Sequence, residues 1–239
     1  MIKIENVEVV GWEHTIRGMR NPKNSWERSD SGYKCPYYRD QQRVCDGCKD
    51  NMCIGENDHK LMMQLTNGGA VHAKYRRMIV VYLDITAPLY WWKEFDTYKV
   101  GTVANSCSTM HKIHDKEFSI NDFSYEHLEF QTRPQFRNAT PDNLEGTYNC
   151  SAYDFLCITR DVLNNYRKLY LETKDKKYWW QMIQLLPSSY NQKRTIMLNY
   201  EVLVGMYESR KDHKLDEWRE FCKWIESLPY SEIITGEEK

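Results

Sequence analysis

The feature that most constrains the fold is a short apolar run at residues 78–85 (MIVVYLDI), followed after Thr86 by an Ala-Pro pair. The run is rich in β-branched residues and therefore predicts a buried strand. After it, Thr86 can cap a helix, and Pro88 fits the first helical turn because its missing N–H is no loss there. Aromatic side chains then recur at helical spacing: Trp91, Trp92, Phe95 and Tyr98. The stretch predicts a strand that leads directly into a helix with a buried aromatic face.

A polar loop follows this predicted helix. Gly101 allows the chain to turn out of the helix, and the next ten residues are dense in hydroxyl and amide groups. These polar side chains are Thr102, Asn105, Ser106, Ser108, Thr109 and His111. Strand, helix and loop together predict one wall of a site for a polar ligand. The alternative is a buried helix followed by an ordinary solvated loop.

Length and charge exclude several classes of protein. The 239 residues are enough for one large domain or two small ones, and the formal net charge of -1 at pH 7 gives no field for nucleic acid or membrane. The first residues have no apolar signal core, and no run approaches 18 apolar residues. We therefore expect a cytoplasmic protein. In that compartment the 8 Cys are thiols or metal ligands rather than disulfides.

Residues 29–55 differ in kind from the rest of the chain, being polar, turn-rich and rich in cysteine. Cys45 and Cys48 have the spacing at which two thiolates converge on one ion, and Cys35 and Cys53 lie near enough to complete a tetrahedral site. The segment predicts a structural Zn²⁺ site in a Cys-rich insertion within a single domain of residues 1–239. The alternative is a mobile insertion that carries free thiols.

The remaining pattern is that of a mixed α/β protein with a central sheet flanked by helices. Strands are predicted near residues 1–12 and 193–199, and helices at 58–67, 148–173, 176–186, 200–210 and 215–228. Residues 112–147 show no sustained apolar periodicity, which predicts a long irregular segment with one or two short helices. The helix at 148–173 has an apolar stripe of Phe155, Ile158, Val162, Tyr166 and Leu169, and we expect the acidic C-terminal tail to be frayed.

This succession resembles the flavin-dependent thymidylate synthases. That family has a helix, a Gly-His turn, a strand ending in Ala-Pro and a helix leading to an Arg-His-Arg motif. The parallel segment here is DHKLMMQLTNGGAVH, then the strand, then Ala87 and Pro88 without a gap. Near the C-terminus the family has Leu-Pro, a strand, Asn-x-Arg-x-Leu and an Arg eleven residues after the Asn. Here Leu186-Pro187, Asn199, Leu203 and Arg210 fall at those spacings.

The resemblance implies a fold, a cofactor and an assembly. The family transfers a methylene group from methylenetetrahydrofolate to dUMP, with FAD as hydride carrier and NADPH as reductant, in a homotetramer whose sites lie between subunits. By position, His72 and Asn199 match flavin-binding residues. Arg210 matches the arginine that polarises the pyrimidine, a role that suits a permanently charged fork of donors.

The chain departs from the family at most of its arginines. The Arg-His-Arg motif is replaced by Thr97-Tyr98-Lys99, and the Arg that grips the nucleotide phosphate becomes Ile183. The Arg of Asn-x-Arg becomes Glu201. Since neither Thr nor Ile can hold a phosphate as Arg does, plain dUMP is expected to bind poorly.

Three hypotheses follow. In the first, the chain is an active flavoenzyme on a pyrimidine nucleotide, in which His111 and the residues Lys99, Thr102, Asn105 and Ser108 bind substrate in place of the lost arginines. In the second, the same fold has lost the chemistry and serves as a nucleotide- or partner-binding module. In the third, an unrelated interaction protein uses the Cys-rich segment as its functional part.

Tryptophan content bears on assembly. Trp91, Trp92, Trp218 and Trp224 offer more apolar surface than one chain of this size needs for its core. Together with the resemblance, they predict a homotetramer with a large, partly apolar interface.

Overall fold

A computed structural model describes residues 2–32, 52–137 and 147–236. Within this part of the chain the strands are β1 (Lys3–Val10), β2 (Val80–Pro88), β3 (Val103–Ser106), β4 (Gln135–Arg137), β5 (Thr147–Asn149) and β6 (Asn191–Asn199). The helices are α1 (Trp12–Arg20), α2 (Glu56–Asn67), α3 (Leu89–Phe95), α4 (Ala152–Thr173), α5 (Lys176–Leu185), α6 (Tyr200–Arg210), α7 (Asp216–Glu226) and α8 (Glu232–Thr235).

The chain forms two compact units. The first unit comprises Met1–Lys3, Ile85–Thr97 and Asn105–Arg194, and the second comprises Ile4–Asp84, Tyr98–Ala104 and Thr195–Lys239. The prediction of a single domain with an insertion at residues 29–55 stays a prediction, and most of that insertion lies outside the described residues.

Four strands form one sheet in the order β1-β2-β6-β3, and β4 pairs with β5 in an antiparallel hairpin. The mixed α/β class expected from the sequence is confirmed. In the second unit, Asp84 links three strands through its carboxylate, which accepts from Asn6 at 2.9 Å and from Thr195 at 2.6 Å. These bonds stabilise the pairing that the apolar run of β2 favours.

The junction between β2 and α3 differs from the prediction. The strand continues through Thr86, Ala87 and Pro88, and α3 begins only at Leu89 with Pro88 as its N-cap. A residue before proline is driven towards extended backbone, so Thr86 and Ala87 stay in the strand. The predicted aromatic face is confirmed for Trp91, Trp92 and Phe95, which are buried, whereas Tyr98 lies beyond the end of α3 and is half-buried.

Each unit has an apolar core of its own. In the first unit the core is a cluster of Ile113, Phe118, Phe123, Leu156, Leu163 and Met182. In the second unit, α6 packs on α7, and their buried side chains are Leu203, Met206, Tyr207, Trp218, Phe221 and Ile225.

The predicted apolar stripe of α4 is buried only in part. Tyr166 packs against the core cluster, whereas Phe155 is 59% exposed, Ile158 51% and Leu169 37%. The fully buried side chains of the helix are Leu156 and Leu163, which lie off the stripe. Three of the four tryptophans on which the assembly prediction rested are buried in this chain. Trp91, Trp92 and Trp218 therefore provide no surface for the predicted homotetramer, and Trp224 is half-buried.

The C-terminal tail is more ordered than the sequence suggested. Residues Glu232–Thr235 form α8, in which Ile233 and Ile234 are buried. The expectation of a frayed tail was wrong up to Gly236, because two adjacent isoleucines supply enough apolar surface to hold the last turn.

Among the helices of the described residues, none combines the length and the apolar character that a membrane crossing requires.

Candidate functional site

The C-terminal end of α6 carries Arg210 into an aromatic setting within the second unit. Its Nε donates to the Tyr98 hydroxyl at 2.9 Å, and its guanidinium carbon lies 4.7 Å from the centre of the Trp218 ring. Cation–π contact and a hydrogen bond together fix the orientation of the charge. Arg210 is half-buried, so the guanidinium is held in place without being sealed from solvent.

A cysteine close to this arginine is chemically inert. Burial raises the pKa of the Cys222 thiol to about 11, the Glu226 carboxylate adds to the effect, and the Arg210 charge opposes it. The thiol is therefore protonated at neutral pH and is not a nucleophile there.

Asn199 lies at the start of α6, where its side chain acts as the N-cap. Its Oδ1 accepts from the Val202 backbone N–H at 3.1 Å. Its Nδ2 faces Gly101, where a Cβ would come within 3.1 Å of that nitrogen and 3.0 Å of the Val202 side chain. Gly101 also has φ +78°, which disfavours any larger residue. The glycine that the sequence marked as a turn residue thus gives the Asn199 amide its space.

His72 is exposed and precedes a 3-10 helix at Ala73–Met78. Its ring lies against Gly68, where a Cβ would come within 3.2 Å of the ring carbon Cδ2. Near it in sequence, Arg76 is buried and pairs with Glu201 across 2.8 Å. A cavity of about 390 Å³ opens at this pair, and Gly69, Gly205 and Glu208 also line it.

The four predicted substrate-binding residues fall in different units. In the second unit, Lys99 is exposed, and the Thr102 hydroxyl is buried without a hydrogen-bond partner among the described residues. A buried hydroxyl of this kind calls for a partner that protein atoms do not supply. In the first unit, Asn105 is exposed on β3, and Ser108 accepts from the His111 backbone N–H at 2.9 Å.

Two positions at which the family has arginine have structural roles here. The Thr97 hydroxyl donates to the Glu94 carbonyl at 2.7 Å, at the end of α3. Ile183 packs against the apolar core cluster of the first unit. A third position, Glu201, has the opposite charge and is engaged with Arg76. These residues cannot take over phosphate binding.

The predicted zinc ligands Cys35, Cys45 and Cys48 lie outside the described residues. Cys53, the fourth, is described and half-buried, and its backbone pairs with that of Gly32 through two hydrogen bonds of 3.0 Å. This bridge joins the two ends of the intervening segment. Across residues 2–32, 52–137 and 147–236, no group of three or more His, Cys, Asp or Glu side chains is placed to hold a metal ion.

Sequence reasoning missed the partners of Arg210. Tyr98 was identified as an aromatic residue of the predicted helix and as the replacement for the family's central histidine, and Trp218 as one of the tryptophans that predict an interface. The sequence did contain a signal for the role of Tyr98, since this residue belongs to the Thr97-Tyr98-Lys99 segment that precedes the polar loop. The Arg76–Glu201 pair was also missed, although the unusual carboxylate in Asn-x-Glu pointed to a compensating cation.

The fold is that of the flavin-dependent thymidylate synthases, as the sequence indicated. The chain is similar to a thymidylate synthase X from Helicobacter pylori, solved with FAD and dUMP, at 15% identity and a TM-score of 0.62, over 99% of this chain and 98% of that one. It is also similar to PolB from Streptomyces cacaoi, described as a UMP/dUMP methylase and bound with 5-Br UMP. There the identity is 12% and the TM-score 0.55, over 95% of this chain and 88% of that one. No protein-family model and no curated protein sequence matches the chain.

Proposed function

We propose that this protein binds a pyrimidine nucleotide together with FAD, and acts on the pyrimidine ring in a reaction of the thymidylate synthase type. The observation that carries the proposal is the fixed geometry of Arg210, held by the Tyr98 hydroxyl and the Trp218 ring. A guanidinium fixed in advance stabilises charge that develops on a bound ring without the cost of reorganisation. The two structures described above, one of a thymidylate synthase and one of a methylase, both hold uridine-type nucleotides. They support the substrate class.

In this proposal, His72 and Asn199 hold the flavin, and Lys99, Thr102, Asn105 and Ser108 contact the nucleotide. The exposed ring of His72 and the amide of Asn199, kept open by Gly101, fit a flavin ring. The buried Thr102 hydroxyl, for which the described residues supply no partner, fits a ligand hydrogen bond. FAD, when bound, supplies hydride transfer. Methylenetetrahydrofolate and NADPH complete the proposed reaction, in a cytoplasmic enzyme.

A homotetramer belongs to the same proposal. Its support is the exposed apolar side chains of two helices of the first unit: Phe155, Ile158 and Leu169 of α4, and Trp180 and Leu185 of α5, the last two 43% and 46% exposed. Exposed apolar side chains in this number are typical of an interface.

A second candidate is a binding module of the same fold without turnover. It is favoured by the structural roles of Thr97 and Ile183. It is also favoured by Glu201, which stands where the family has an arginine and which pairs with Arg76. The two candidates agree on the ligand class and differ in whether the ring reacts.

Flavin absorbance separates the candidates. In FAD-loaded protein, Arg210→Ala should leave the flavin bound and slow nucleotide-dependent oxidation of the reduced flavin by about 10²–10³-fold, comparable to the loss of one oxyanion donor. Arg219→Ala, which removes an exposed arginine of α7 paired with Asp216, is the control and should leave the rate unchanged. A flavin that binds but never reacts with nucleotide supports the binding module. Protein that takes up no flavin contradicts both the cofactor assignment and the enzyme.

The nucleotide titration tests the lost arginines. Plain dUMP should bind weakly, and its affinity should change little with salt, because few charges remain to be screened. Tight, salt-sensitive binding would contradict the assignment of structural roles to Thr97 and Ile183.

The zinc site is also proposed, with Cys35, Cys45, Cys48 and Cys53 as thiolate ligands in a closed structural geometry. Elemental analysis of protein purified without chelator should give about one zinc per chain, and Cys45→Ser should lower it. Less than about half an equivalent, unchanged by that substitution, would contradict the site.

A further inference from the structure

A polar cavity in the second unit shares no residue with the set around Arg210, and no role has been given to it. It lies where the end of α1 and two 3-10 turns, Asn21–Lys23 and Trp26–Arg28, meet α2. Its volume is about 630 Å³, within the range of small-molecule sites. The lining residues are Arg20, Lys23, Asn24, Ser25, Glu27, Arg28, Asn57, Lys60, Leu61 and Gln64.

The lining of this cavity has more basic than acidic side chains. Four of its side chains are basic and one, Glu27, is acidic. Lys60 is offset by Glu56 at 2.8 Å, but Lys23 contacts only the amide oxygen of Gln64, at 3.3 Å. Among the described residues, no carboxylate forms an ion pair with Lys23 or Arg28. Two uncompensated cations at one concave surface attract an anion.

The innermost cation is held in a fixed position. Arg20 is buried, with 4% of its side chain exposed, and its Nε donates to Asp58 at 2.5 Å. Its Nη1 donates to the Ser25 carbonyl at 3.1 Å. No acceptor of its Nη2 is found within the described part of the chain, and Arg20 lines the cavity. A guanidinium that is fixed by its other bonds and lines a cavity is pre-organised for a ligand oxygen.

Asp58 makes this arrangement rigid. The carboxylate is fully buried and its Oδ2 accepts from both Ser29 and Ser31 hydroxyls, at 2.7 and 2.6 Å, and from the Asp30 and Ser31 backbone N–H groups at 3.1 Å each. Because these four hydrogen bonds fix the Asp58 carboxylate, they also fix the Arg20 guanidinium that is paired with it. The network therefore holds one cation in a defined orientation at the cavity wall.

We infer that this cavity binds a phosphate-bearing small molecule, with Arg20, Lys23 and Arg28 on the phosphate oxygens. Guanidinium and ammonium groups are the side chains that suit phosphate best. The amides of Asn24, Asn57 and Gln64 line the same cavity and can bind the polar remainder of an organic phosphate. This inference is independent of whether FAD or a pyrimidine nucleotide binds at Arg210.

The test is calorimetric titration of the full-length protein with inorganic pyrophosphate, then with uridine diphosphate. We expect one equivalent of pyrophosphate to bind, with an affinity that falls as salt rises. The exposed pair Lys23→Gln/Arg28→Gln should weaken binding about tenfold for each charge removed. Lys214→Gln/Lys223→Gln removes two exposed cations of the same unit that do not line the cavity, and should leave binding unchanged.

Two further arms identify the ligand and the site. Uridine diphosphate that binds more tightly than pyrophosphate means that the amides contact the organic part, and equal affinity means that phosphate alone is recognised; both support the site. The titrations are repeated in Arg210→Ala protein, where binding should persist. Absence of pyrophosphate binding, binding unchanged in Lys23→Gln/Arg28→Gln, or binding lost in Arg210→Ala would each overturn the inference.

Discussion

Two helix pairs in this chain bury their apolar side chains to different extents. In the second unit, α6 and α7 bury Leu203, Met206, Trp218 and Phe221 completely. In the first unit, α4 and α5 bury Leu163 and Met182 in the core cluster but leave other apolar side chains exposed, among them Phe155, Ile158 and Trp180. Apolar periodicity therefore shows that a helix has a face to bury, and does not show that the burial is within the same chain.

Charged residues sharpen the contrast. The second unit contains two buried ion pairs, Arg20–Asp58 and Arg76–Glu201. In the first unit the pairs lie nearer solvent, as in Arg160–Asp161, whose carboxylate is 62% exposed. A buried pair fixes geometry and is costly to break, whereas an exposed pair contributes little to stability. The second unit has the features of a rigid scaffold, and the first has those of a surface that meets a partner.

The largest expected effect is on the core of the second unit. Trp218→Ala removes a fully buried ring that also packs on Arg210, and should lower the free energy of unfolding by about 3–5 kcal/mol. The matched change in the first unit, Trp180→Ala, removes a half-exposed ring and should cost less than about 1 kcal/mol in the isolated subunit. Urea unfolding of both variants below the assembly concentration measures the difference. Equal losses would mean that the two helix pairs do not differ.

Much of the framework of these helices could be predicted from the sequence. The bounds of α6 coincide with the prediction, since Asn199 is a strong capping residue directly after a strand. The particular fold was implied by the resemblance to the flavin-dependent thymidylate synthases, which rests on the order and spacing of a few motifs. By contrast, the contact of Arg210 with Tyr98 joins residues 112 positions apart, and no local pattern encodes it.

The exposed stripe of α4 was not predictable for a different reason. Phe155 and Ile158 have the spacing of a core face, and so do Leu156 and Leu163. Which face packs depends on the cluster around Phe118 and Phe123, which comes from a segment without periodicity. The burial of Asp58 could not be predicted either. Carboxylates are normally exposed, and a buried one is stable only when the fold supplies hydrogen-bond and charge partners.

The second effect concerns the buried carboxylate. Burial by itself raises the pKa of Asp58, and the hydrogen bonds from Ser31, Ser29 and Arg20 outweigh it, so the pKa of Asp58 lies below its ordinary value. The folded pKa is thus lower than the unfolded one. The resulting stabilisation is present above about pH 4 and is lost as the pH falls through the folded value.

Asp58→Asn should remove this contribution. We expect a loss of about 3 kcal/mol at neutral pH, because Arg20 is left buried without its counter-charge, and a flatter decline in stability below about pH 4. Asp161→Asn, which removes the exposed carboxylate of the Arg160 pair, should change neither quantity. Urea midpoints between pH 3 and pH 7 give the comparison. An Asp58→Asn protein with the same acid sensitivity as the parent would show that other carboxylates dominate.

The smallest effect on the isolated subunit, and the most informative one about assembly, is expected at the exposed stripe of α4. Phe155→Glu/Ile158→Glu places charge on a face that the proposed homotetramer buries, and each lost apolar side chain is worth about 1.5–3 kcal/mol of burial. The dissociation constant of the assembly should rise at least about tenfold per residue, while the unfolding free energy of the separated subunit stays unchanged because both side chains are already exposed there.

Lys168→Glu on the same helix lies off the stripe and serves as the control for added negative charge. Light scattering at micromolar concentration should give a tetramer for the parent and the control, and smaller species for the double variant. If the unsubstituted protein were monomeric, the homotetramer would be contradicted. The exposed apolar side chains of α4 would then not be explained by burial against another subunit.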